Sequence, residues 1–327
     1  LVREWRRRPE RRAWLVAAAA LGCSLLVTVA ILEMNPSGAP VFGWPLVWSL
    51  PMLPYRALGG PLDPEIAFGF GLALSLAANV VTVVATAYAG LYATGRRSIG
   101  LVAAGLFAAW PFLAGILGGS RAWENGTWQV DAGLHLYTEP LSTALVTTAL
   151  ALLLSPSRTD VRLALAGVAL GLAVSVKISN AAVAALGALL LLRRSLPYLA
   201  GVLAFVPMVV AFWPLGYYDP STPDLFALAN VEPAWTESLL FGPRALLLLL
   251  PLAALGAVAL RASPALPALA AWTLANPLFY SVYFYTPIHP RFLFASLPAL
   301  FVLWAAGADA TWRAATARPR LRGRAAA

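Results

Sequence analysis

Six side chains in this sequence have the chemistry to handle a charged substrate: Glu33, Asp131, Glu139, Lys177, His289 and Arg291. Lys177 is the only lysine among 23 basic residues, so arginine serves wherever a plain positive charge will do. A compact ammonium on a flexible stem can hold a phosphate as a point charge. The competing reading is a lysine that snorkels from a helix end and does nothing more. Arg291 closes the short turn Thr286-Pro287-Ile288-His289-Pro290-Arg291, where a fork-shaped cation next to a histidine can grip an anion. Asp131 stands in a loop with Arg121, Glu124 and His135, and Glu139 follows just before Pro140. Glu139 would also complement the dipole of a helix starting there. Carboxylates and cations in this mixture suit a substrate that carries phosphate and sits in lipid.

The elements that must position these groups are apolar runs at 13–32, 66–93, 98–118, 137–155, 163–176, 178–192, 196–215, 244–260, 264–283 and 292–308. A run such as 13–32 would rise about 30 Å as a helix, the hydrocarbon thickness of a bilayer. Composition agrees: 60% of residues are hydrophobic and 11% charged, with a mean hydropathy of +0.76. Soluble domains carry about 25% charged residues. The expectation is an all-α polytopic membrane protein, one integral membrane domain over 1–327 with about ten transmembrane segments.

Charge gives the orientation. With the N-terminus inside, 18 of the 23 basic residues fall on the cytoplasmic side, and 10 of the 14 acids and both histidines fall outside. Lys/Arg bias in short loops sets topology, so both termini are expected inside. The basic N-terminus 1–12 and the tail 313–327 would be cytoplasmic, and 33–65, 119–136 and 216–242 would be outer loops. The net charge of +9 is then read as topology and contact with anionic headgroups, with no nucleic acid as partner. The first run has no small-residue cleavage site near Glu33 and reads as a retained anchor. Cys23 is the one cysteine, so no disulfide forms within the chain.

The count turns on 163–192, interrupted once at Lys177-Ile178-Ser179-Asn180. One long tilted helix would reverse the side of every later loop. A pair of short spans keeps the charge rule, and broken helices of that kind are tolerated where they line a polar cavity. The pair of short spans is the expectation. The first outer loop, with Val41-Phe42-Gly43-Trp44-Pro45 and Trp48, reads as an interfacial segment on the outer leaflet. Asp63 and Glu65 at its end read as caps of the next helix. Loop 216–242, with four acids among prolines and tryptophans, reads as a solvated cover. Asn125-Gly126-Thr127 fits a glycosylation acceptor, a pattern frequent by chance.

The sequence has no Gly-rich phosphate loop, no zinc-type histidine spacing and no nucleophile elbow. Its layout resembles the polytopic glycosyltransferases that use lipid-linked sugars, the GT-C superfamily with its protein O-mannosyltransferase and aminoarabinose-transferase members. The resemblance rests on a first span ending in an acid, Glu33, before a proline-rich outer loop. It rests also on Tyr137-Thr138-Glu139-Pro140-Leu141 opening a span, and on the break at Val176-Lys177-Ile178. The last span, His289-Pro290-Arg291-Phe292-Leu293-Phe294-Ala295-Ser296-Leu297-Pro298-Ala299-Leu300, is similar to the family's Arg-aromatic-Leu and Leu-Pro-Ala-Leu pattern. Many members have two adjacent acids after the first span, whereas Glu33 stands alone.

That resemblance implies transfer of a sugar from a polyprenyl-phosphate carrier to a lipid, glycan or protein acceptor at the outer face, with inversion. The residues present can support that chemistry, with Glu33, at the membrane boundary beneath an apolar roof, as the expected base for the acceptor hydroxyl. Asp131 would orient the acceptor or hold a divalent ion such as Mg or Mn, and Glu139 would support it. Lys177 and Arg291, assisted by His289, would stabilise the phosphate leaving group. The outer carboxylates form no recognisable metal-ligand spacing. The heavy use of alanine, and of arginine over lysine, points to a GC-rich bacterial or archaeal source. The expected place is then the plasma (inner) membrane of a prokaryote, among membrane lipids, and the charge pattern puts the active face outside. Two other classes compete. A lipid or solute transporter would place ionisable groups near mid-membrane and show repeated halves, and a non-catalytic membrane subunit of a cell-envelope assembly would leave the outer charges scattered.

Overall fold

The computed structural model describes residues 9–34, 52–61, 63–118, 138–157, 159–212, 227–231, 244–282 and 290–322. These residues are mostly helical, joined by short turns, with no strand among them. The helices are α1 Pro9–Met34, α2 Met52–Ala57, α3 Pro64–Thr94, α4 Arg97–Gly118, α5 Thr138–Leu154 and α6 Asp160–Val176. They continue as α7 Asn180–Leu191, α8 Ser195–Leu203, α9 Val206–Phe212, α10 Arg244–Ala259, α11 Leu266–Val282 and α12 Leu297–Arg322. By length and composition alone, four stretches are apolar enough to cross a membrane: Glu10–Glu33, Glu65–Thr94, Asn180–Leu203, which is interrupted at Leu192–Arg194, and Leu293–Ala317. Large apolar side chains stay exposed on their flanks, Leu26 and Val80 among them. In a membrane such a surface meets lipid and needs no other cover.

Local signals in the sequence set the ends of α3. Asp63 Oδ1 accepts the Glu65 amide at 2.8 Å, Pro64 takes the first turn, and Gly95 closes the helix in the left-handed region at φ 70°. This is the capping role expected of Asp63. Pro207 separates α8 from α9, because its ring clashes with the carbonyl four residues back and supplies no N–H. The run expected over 196–215 is therefore two helical pieces. The last helix runs to Arg322, well past the apolar run that ends at 308, because Ala310–Ala317 is itself a good helix former. The expected interfacial stretch 41–48 lies outside the described residues. What is described of that loop is α2, whose Tyr55 ring packs 5.6 Å from the ring of Phe70 on α3.

The order of helices around Lys177 shows that 163–192 is two short helices and not one long one. On α6 and α8, Gly167 lies against the backbone of Tyr198, and Gly171 against that of Val202. Both numbers rise together, so α6 and α8 run parallel. The helix between them must return the chain to its starting level. Tyr198 Oη donates to the Ala184 carbonyl of α7 at 2.8 Å, a bond that one straight helix over 180–203 would forbid. The reversal is made at Leu192–Arg194, where Leu192 adopts a φ of 46°. Thus α6, α7 and α8 form an up-down-up unit, with turns at Lys177–Ser179 and Leu192–Arg194.

Small residues allow the closest approaches. Gly90 of α3 faces Gly100 of α4, and Gly256 of α10 faces Leu303 and Gly307 of α12. Backbones pack this closely in membrane bundles through small side chains. The core gathers Leu150, Leu163, Leu170, Leu269, Trp272 and Phe301 between α5, α6, α11 and α12. Trp272 keeps its indole N–H satisfied by donating to the Val146 carbonyl at 2.9 Å. Arg96, Arg162 and Asp309 lie at one end of this bundle, with Arg96 paired to Asp309. Glu139, Lys177 and Tyr280 lie at the other.

Candidate functional site

The break at Lys177 is built from backbone bonds first. The Lys177 N–H donates to Ala173 at 2.8 Å and ends α6, and the chain then turns extended at φ −152°. The Lys177 carbonyl accepts the Asn180 N–H at 3.0 Å, which starts α7. Asn180 Nδ2 completes the corner by donating to the Ala173 carbonyl at 2.9 Å and to Ser142 Oγ of α5 at 2.8 Å. The corner is thereby fixed to the first turn of α5.

That attachment decides where Lys177 points. Glu139 is one turn before Ser142, and Lys177 Nζ donates to Glu139 Oε1 at 2.9 Å. Both residues are buried, at 9% and 4% exposure. The ammonium also sits 5.5 Å from the centre of the Tyr280 ring. Cation and ring at this distance attract, more strongly where water is excluded. Glu139 and Thr138 are in side-chain contact at 3.5 Å. Asn180 Oδ1 and Ser179 Oγ are buried without a hydrogen-bond partner among the described residues. The corner therefore offers two unfilled polar atoms beside a charged pair, which a water or a substrate hydroxyl can take.

Of the six residues singled out in the sequence, the structure joins two, Glu139 and Lys177. The point charge is thus engaged by a carboxylate. Glu33 is exposed on the last turn of α1. Two residues earlier, Ile31 is buried in an apolar cluster with Leu141, Val176 and Phe205. Asp131 and His289 lie outside the described residues. The backbone of Arg291 lies in the 3-10 turn Pro290–Ser296, which packs on α5 and α11. Among the described residues no three His, Cys, Asp or Glu side chains gather as metal ligands.

Sequence reasoning missed Tyr280, Asn180 and Ser142. Their signal was the polar residues within apolar runs at helical spacing. Trp272, Asn276 and Tyr280 recur every fourth position of α11 and are all buried. Glu139 and Ser142 are three apart on α5, hence on one face.

No family model, curated protein or solved structure matches this chain.

Proposed function

We propose that this protein is a membrane glycosyltransferase that moves a sugar from a polyprenyl-phosphate carrier to an acceptor at the extracytoplasmic face. In this reading ten segments cross or enter the bilayer, both termini are cytoplasmic, and the Lys177 corner lies near the outer surface. The up-down-up course of α6, α7 and α8 supports the even count, since it returns the chain to the side that the charge rule requires. The observation that carries the reading is the buried Glu139–Lys177 pair at a helix break. Ionisable groups inside a membrane bundle mark functional sites.

The chemistry follows from the groups. The acceptor hydroxyl gives its proton to Glu33 and its oxygen attacks the anomeric carbon opposite the phosphate, which inverts that centre. The bond from the anomeric carbon to the phosphate oxygen breaks, and its electron pair stays on the phosphate. That leaving group needs positive charge more than a proton. Glu139 keeps the ammonium charged and aimed until the donor phosphate shares it, with Arg291 and His289 supplying further positive charge and hydrogen bonds. Asp131 orients the acceptor or holds a divalent ion, and no step here is routed through that ion.

One observation favours a non-catalytic subunit: the lysine already has its counter-ion, as a purely structural pair would. The test separates the two. Protein purified into lipid nanodiscs is given a radiolabelled polyprenyl-phosphate sugar and membrane-extract acceptors. Transfer that disappears in Glu33→Gln and in Lys177→Ala, each with its melting profile recorded, supports the enzyme. Transfer retained by both removes the site assignment, and no transfer by the parent protein favours the subunit.

A further inference from the structure

At the end of the bundle away from Lys177, α3 and α5 leave a groove of about 440 Å³ that the reaction above does not use. Its walls are Val80, Val81, Val84 and Ala85 of α3 and Thr148, Ala151 and Leu152 of α5. Tyr88, Tyr92, Ser155 and Arg162 line one end. The composition is graded along the length, apolar apart from Thr148 at one end and polar at the other. From Val80 to Tyr92 the groove follows α3 for about 18 Å, close to the roughly 15 Å depth of one leaflet's hydrocarbon.

Arg162 gives the polar end its charge. It opens α6 and is half-buried, donating to Ser155 Oγ and, at 3.4 Å, to the Ser157 carbonyl. Its described partners are thus a neutral hydroxyl and a carbonyl, and no carboxylate pairs with it among the described residues. Arg96 differs, being paired with Asp309. A guanidinium held at the mouth of an apolar channel, with donors to spare, is complementary to an anion on a hydrocarbon tail. Tyr88 and Tyr92, with rings 5.6 Å apart, suit the headgroup level of such a lipid.

We propose that this groove binds one acyl chain of an anionic glycerophospholipid whose phosphate is held by Arg162. The site lies in the cytoplasmic leaflet in the orientation given above, where anionic lipids attract basic residues. It does not depend on the glycosyltransferase reading.

The test is native mass spectrometry of the full chain, released from micelles containing phosphatidylglycerol or phosphatidylcholine. The parent protein is expected to keep one phosphatidylglycerol in preference to phosphatidylcholine. Arg162→Gln should weaken that retention about fivefold, the worth of one basic residue near a charged surface, and Arg162→Lys should restore most of it. Val84→Phe, at a half-exposed position and so compatible with folding, should block the channel and lower retention of either lipid. Equal retention of the two lipids by the parent, or unchanged retention in both Arg162→Gln and Val84→Phe, would overturn the proposal.

Discussion

Lys177 Nζ and Glu139 Oε1 meet at 2.9 Å across 38 positions of sequence, inside a bundle whose other described charges lie mostly at its surface. Two helix starts and one helix break converge to make that contact. Neither residue can be changed alone without leaving a buried charge behind.

The first prediction follows from that asymmetry. Glu139→Gln or Lys177→Met alone should destabilise the protein by about 3–5 kcal/mol, whereas the two together should cost far less. Thermal melting in detergent micelles reads the difference. Additive losses, with no coupling between the two changes, would mean that the pair does not exist in the membrane-extracted protein.

The corner itself should be sensitive to Asn180. Asn180→Leu removes two buried hydrogen bonds and should cost about 1–3 kcal/mol. Adding Ser142→Ala to that variant should change little, because the two share one bond. Melting temperatures of the four proteins in a double-mutant cycle check this.

Glycines at two positions should respond in opposite ways. A Cβ on Gly307 would run into the Leu252 carbonyl, so Gly307→Val should drive α10 and α12 apart and lower the yield of folded protein. Gly105 has open space around its missing Cβ, so Gly105→Ala should stabilise α4 by about 1 kcal/mol. Size-exclusion profiles and melting curves distinguish the outcomes.

The parallel course of α6 and α8 predicts sidedness. In a Cys23→Ser background, Asp224→Cys should react with a membrane-impermeant maleimide in intact cells, and Ser195→Cys only after permeabilisation. The reverse pattern would reverse the proposed topology and move the Lys177 corner to the cytoplasmic side.

Much of the architecture is written locally, and so could be read locally. Apolar runs of helical length predict helices over most of the described residues, because a bilayer offers backbone groups no partner outside the segment; the run 292–308 departs by opening in a 3-10 turn over Pro290–Ser296. Asp63, Pro64 and Gly95 mark the ends of α3 for equally local reasons. The break at Pro207 is equally local, since the ring acts on the carbonyl four residues back, and it divides the single run expected over 196–215.

The candidate site divides differently. Lys177 and Glu139 stood out singly, by rarity and by position, but their partnership did not. Nothing in the sequence around Glu139 says that α5 packs its first turn against the end of α6. That packing depends on Asn180 bridging to Ser142, on Tyr280 covering the ammonium, and on α7 reversing the chain at Leu192. Residue types and their spacing determined that this is a helical protein with long apolar segments and a few isolated ionisable groups. Only the tertiary structure decided which of those groups share one buried environment, because the attraction between charges depends on a separation in space that helix packing alone sets.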